Sequence, residues 1–128
     1  MRLNDDVAAI LSAHSAAGRL YYSPITAWEI GMLGRPRREG PRMRFDPDPE
    51  AWFERVRVPP ALIEMPLSAD VAIAAAMLPT EVHADPADRF LIATARLRGL
   101  ALVTGDRRII DLGLQGILDV IACRPDPE

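Results

Sequence analysis

The stretch HADPADRFLIATARLRGLALVTGD, residues 83–106, sets Asp85 and Asp88 at the start of a helical pattern and Asp106 just beyond an apolar run. A fourth acid, Glu29, lies far upstream in SPITAWEIG. Each has a plain local explanation. Asp85 followed by Pro86 is an N-cap with proline at the first helical position, and Asp88 then faces the positive end of the helix dipole. Asp106 in Thr-Gly-Asp is a turn former, and Glu29 on its own reads as a solvated helix residue. Together they are also a set of oxygen ligands. Clustered carboxylates raise one another's pKa unless a cation neutralises them. Oxygen-only donors suit Mg2+ or Mn2+, which keep several waters and accept substrate phosphates. Such an ion can activate water for in-line attack on a phosphodiester. Caps and metal ligands both remain open readings at this point.

The elements that must position these acids alternate between helix and strand. Asn4 caps a first helix carrying Val7, Ile10 and Leu11, which Gly18 stops. Leu20 to Tyr22 is a short strand, and Ser23-Pro24 starts a helix ending near Gly34. Residues 35–49, rich in proline and arginine, form a surface loop before a short helix over Glu50–Val56. Leu62–Leu67 is a strand, and Ser68 caps a helix with Val71, Ala72, Ala75, Ala76 and Leu78 on its buried side. A helix over 86–98 ends at Gly99, Leu100–Val103 is a continuous apolar strand, and Ile117–Ala122 is the last strand. This order predicts an α/β fold, a three-layer sandwich around a mostly parallel central sheet, in one domain spanning 1–128. Ligands in such sheets bind beyond the carboxyl ends of the strands. Asp106, the amino end of the 86–98 helix and the early turns of the helix after Tyr22 all belong to that edge, so the four acids can share it.

Composition narrows the class. Net charge is −3, which argues against a protein that coats nucleic acid indiscriminately. Cys123 is the only cysteine, which predicts a reducing cytoplasmic setting. No apolar run approaches the roughly 20 residues that span a bilayer, so no membrane association is expected. All 15 basic residues are arginine. Five of them, Arg35, Arg37, Arg38, Arg42 and Arg44, crowd one short stretch. They can hold RNA phosphates or an acidic segment of a partner protein, or form a solvated basic loop. Glycine-rich phosphate cradles and a GxSxG elbow are absent, which removes dinucleotide, P-loop and serine-hydrolase chemistry. A phosphoacceptor signalling domain needs a lysine, and there is none. Trp28, Trp52 and Phe53 are expected in core or interface packing. His14 and His83 do not suggest a zinc site, and His83, which could approach the acidic edge, reads rather as a loop histidine.

These segments resemble the PIN-domain family and, within it, VapC-type toxins of toxin–antitoxin pairs. SPITAWEIG resembles the family's strand-to-helix segment bearing a glutamate. LGRPRREG with DPEAWFERV, and EMPLSADVAIAAAMLP, are similar to the segments that follow. HADPADRFLIATARLRGLALVTGDRRI is the most specific match. The resemblance implies an Mg2+-dependent (or Mn2+-dependent) endoribonuclease, held inactive by a cognate antitoxin and often homodimeric. Carried over by position, Glu29, Asp88 and Asp106 would hold the metal, with Asp85 an accessory acid. Thr104 and Ser23 would be neighbours able to hydrogen-bond water or substrate. Family members open on a hydrophobic strand ending in Asp, whereas this chain starts at Met1-Arg2-Leu3, in the segment that follows it. The first family strand and its acid are therefore expected to be missing here, either because the natural protein starts further upstream or because the chain is a truncated relative, and the strands at 20–22 and 100–103 are expected to pair directly or leave a gap filled by a neighbour. The alternative function is a catalytically incomplete PIN-like module that binds an antitoxin or itself.

Overall fold

A computed structural model describes residues 5–35, 43–83 and 85–123. Their contacts group the described residues of Ser12–Pro66 into one compact unit, and those of Met1–Leu11 and Leu67–Glu128 into another. The chain is α/β, and its described residues form short parallel strand pairs and six helices. Among the described residues no helix is long and apolar enough to cross a membrane.

The first helix, α1, covers Asp5–Ala16, and Val7 is its buried residue. In the Ser12–Pro66 unit, β1 (Tyr21–Tyr22) pairs in parallel with β2 (Ile63–Glu64). Ser23 accepts the Ile25 N–H at 3.0 Å and, with Pro24 at the first position, starts α2 (Pro24–Leu33). Asp48 does the same for α3 (Pro49–Val56), accepting the Ala51 N–H at 2.8 Å. That helix therefore begins at Pro49, inside the stretch expected to be loop. The buried Phe53 ring meets Tyr22 edge-on at 5.0 Å, and Trp52 meets Phe45 at the same separation. Trp28 is 57% exposed, so of the core or interface packing expected for it the core is ruled out.

In the other unit, α4 (Ala69–Met77) packs along α5 (Pro86–Arg98), β3 (Leu102–Thr104) pairs in parallel with β4 (Val120–Ala122), and α6 (Arg107–Leu114) lies between these strands in sequence. Two apolar clusters meet on α5. Ile92 and Ala95 join Ile109, Leu112 and Leu118, while Ala93 joins Val71 and Ala75. A helix gripped on both flanks is a rigid support for whatever its first turn carries.

Both pairings are parallel, as expected. The described strands form two separate pairs, and β1 does not pair with β3. Gly99 adopts a left-handed φ of 65°, and the Leu100 N–H donates back to the Ala95 carbonyl at 2.9 Å. Leu100 is thus consumed in closing α5, which is why the strand begins at Leu102. Ser68 occupies the N-cap position of α4 but caps no backbone N–H. Its hydroxyl pairs with Asp70 and accepts from Arg98 Nη2 at 2.9 Å.

Candidate metal centre

Asp88 lies in the first turn of α5. Asp85 caps that helix, its Oδ1 accepting the Ala87 N–H at 2.9 Å. Next to Asp88, Arg89 turns back along the helix and closes the end of α4. Its guanidinium donates to the carbonyls of Ala75 at 3.1 Å, Ala76 at 3.3 Å and Pro79 at 3.1 Å, and also to that of Leu78. These include carbonyls that a helix C-terminus leaves without partners. The same group donates to the His83 carbonyl at 2.9 Å, so it also fixes the segment entering α5.

Asp106 sits two residues past the end of β3. Thr104 Oγ1 accepts the Asp106 N–H at 3.0 Å and shapes the turn. Asp106 Oδ1 then accepts the N–H groups of Arg108 at 2.8 Å and Ile109 at 3.3 Å, which makes it the N-cap of α6. Its other oxygen, Oδ2, faces the imidazole of His83.

That imidazole is the most buried member of the group, its side chain only 4% exposed. Nε2 stands 3.3 Å from Asp88 Oδ2 and 3.8 Å from Asp106 Oδ2. Neither approach closes a hydrogen bond, and Nε2 is a buried polar atom without a partner. Nδ1, on the opposite side of the ring, accepts the Asp85 N–H at 3.1 Å. One candidate ligand atom from each of His83, Asp88 and Asp106 lies within 4.8 Å of the others.

The electrostatics favour a cation there. The Asp88 carboxyl is held above the ordinary carboxylate range, first by burial, then by the charges of Asp85 and Asp106, with His83 opposing them. Two carboxylates at one rim, one of them desolvated, are a hard-oxygen donor set of the kind Mg2+ or Mn2+ accepts. The donor atoms of Asp88 and Asp106, beside His83, are chemically compatible with a divalent cation.

The remaining sequence candidates have the following places. Ser23 is buried and spends its hydroxyl on the α2 cap, and Thr104 spends its own on the Asp106 turn. Glu29 is an exposed residue of α2, in the other unit. Arg35 and Arg44 are exposed, while Arg37, Arg38 and Arg42 lie outside the described residues. Sequence reasoning allowed His83 near the acidic edge but favoured a loop histidine, and it missed Arg89. The available signal was proximity: one stands two residues before the Asp85 cap, the other directly after Asp88.

The class so defined is an α/β protein with a carboxylate pair suited to a divalent cation beyond the end of a parallel strand. Residues 2–114 match the PIN domain family, and the chain belongs to it. PIN domains have a nuclease-type fold and are in general divalent-metal-dependent ribonucleases. A comparison with curated proteins finds no match.

Proposed function

We propose that this protein is an Mg2+-dependent endoribonuclease, a VapC-type toxin that cuts RNA phosphodiester bonds in the cytoplasm and is neutralised by a cognate antitoxin. In this reading the chain is one PIN-like domain with a three-layer arrangement. The observation that carries it is the convergence of Asp88 and Asp106 on one rim around the buried His83 imidazole. Asp88 and Asp106 would hold the metal, with Glu29 a third acid of the set and Asp85 an accessory charge. Bound there, Mg2+ supplies the positive charge that stabilises a phosphodiester under attack by water.

The chain's own residues prepare the site. Asp106 is immobilised by its cap bonds, so one oxygen keeps its direction without a metal. Thr104 sets the turn, and Ser23 sets the start of the helix bearing Glu29. The arginines from Arg35 to Arg44 would hold RNA phosphates or an acidic antitoxin segment. Exposed Ile73 and Met77, one turn apart on α4, and Leu97 on α5 give apolar surface to an antitoxin or to a second copy in a homodimer.

The test is cleavage of single-stranded RNA by wild type and Asp88→Asn, each with Mg2+ and with EDTA. Wild type with Mg2+ should cleave, and the variant should fall by roughly 100-fold or more. Equal activity in both proteins, or cleavage in EDTA, overturns the reading. Antitoxin binding by a wild type that never cleaves would favour the non-catalytic module instead.

A further inference from the structure

We propose that His83 serves the carboxylate pair as a hydrogen-bond donor through its Nε2–H, positioning Asp88 and Asp106, and is not itself a ligand of the metal. The role of the pair as metal ligands rests on the function proposed above. The assignment of the imidazole rests on its own contacts.

A neutral imidazole carries one N–H and one lone pair, and the partner of one nitrogen decides which is which. Nδ1 accepts the Asp85 N–H at 3.1 Å, so the lone pair is at Nδ1 and the proton at Nε2. A metal at Nε2 would require the reverse. It would turn an Nδ1–H against the Asp85 N–H, donor against donor, at a backbone position fixed by the start of α5. Ring rotation offers no escape, because the side chain is almost wholly buried and the His83 carbonyl is held by Arg89 at 2.9 Å. His83 thus belongs to the cluster by distance and is excluded from the ligand set by tautomer.

The Nε2–H then has two possible acceptors, both carboxylate oxygens. Asp88 Oδ2 is the nearer at 3.3 Å, and Asp106 Oδ2 stands at 3.8 Å. Charge-assisted N–H···O bonds settle near 2.8 Å, so a shift of about 0.5 Å in the Asp88 side chain closes the bond. Closure satisfies the orphaned donor and turns one oxygen of Asp88 toward the ring. Second-layer donors of this kind orient metal-binding carboxylates, and removing one weakens metal affinity by roughly 10- to 100-fold.

The test has two arms on the chain of residues 1–128. Long-range 1H–15N correlation spectra, with His14→Gln used for assignment, read the His83 tautomer without metal and at saturating Mg2+. The Nε2–H form is expected in both states. An Nδ1–H form without metal, or loss of the Nε2 proton when Mg2+ is added, overturns the proposal. Calorimetric Mg2+ titration of His83→Gln and His83→Leu is the second arm. Glutamine keeps a side-chain N–H in reach and should bind within a few-fold of wild type, whereas leucine should bind roughly 10-fold or more weakly. Leucine binding like wild type overturns the positioning role. Should leucine fail to fold, as seen by circular dichroism, the spectra and the glutamine variant decide. If wild type binds no Mg2+ the nuclease reading falls, while the metal-free spectrum still decides the tautomer.

Discussion

The Arg89 guanidinium donates to the carbonyl of His83 at 2.9 Å while also bonding the terminal carbonyls of α4. Replacing it leaves several backbone acceptors without partners at once. Arg89→Ala should destabilise the protein by about 2–4 kcal/mol in denaturant titration. Arg89→Lys should recover only part of this, because one ammonium cannot reproduce the planar fork. A variant as stable as wild type would refute the clasp.

Asp106 serves two purposes with two oxygens, and they can be separated. Asparagine is as good an N-cap as aspartate. Asp106→Asn should therefore keep metal-free stability within about 0.5 kcal/mol, yet lose most of the rise in Tm that Mg2+ gives wild type. Asp106→Ala should lose the metal response and about 1 kcal/mol besides. Thermal melts with and without Mg2+ check both.

Asp88 is a partly buried charge facing other acids, and without metal it opposes folding. Asp88→Asn should raise Tm in EDTA, because it removes a charge that burial and the neighbouring acids disfavour. Adding Mg2+ should stabilise wild type and leave the variant unmoved. Equal Mg2+ responses would remove Asp88 from the metal set.

Arg98 Nη1 donates to Asp70 Oδ2 at 3.0 Å, tying the end of α5 to the start of α4. Arg98, and after it the Ser68 hydroxyl, lower the Asp70 carboxyl from 3.8 to about 2. A carboxyl lowered on folding stabilises above its ordinary pKa, and that contribution is lost as pH falls through the lowered one. Arg98→Gln should therefore matter near neutrality and cease to matter as the acid approaches pH 2. Acid titration of the two proteins, followed by circular dichroism, should show curves that converge at the acid end.

A Cβ at Gly113 would stand 2.8 Å from Val120 Cβ, so α6 meets β4 only because position 113 has no side chain. Gly113→Ala should destabilise by about 1–3 kcal/mol through overpacking. Val120→Ala in the same protein should restore part of the loss, which a double-mutant cycle measures.

Much of the frame was legible because capping chemistry is local. Asp85-Pro86 and Gly99 bracket α5 at the residues expected, and Ser23-Pro24 starts α2. The same chemistry was overlooked at Asp48-Pro49 and at Asp106, where a turn former proved to be the cap of α6. That helix is only eight residues long and carries a glycine, although Ile109 and Leu112 mark a buried face. Side-chain bonds to distant carbonyls leave no sequence period at all. Arg89 therefore looked like an ordinary polar neighbour of Asp88, and His83 like a loop residue. Its burial comes from tertiary contacts, and the Asp85 N–H that sets its tautomer is a backbone group, silent in any residue pattern.

One guanidinium, that of Arg89, joins the end of α4 to the backbone of His83. A partner pressing on Ile73 or Met77 from outside would pull on carbonyls that share one guanidinium with His83. Docking on that flank would then bear on the segment that carries His83 without touching the two carboxylates.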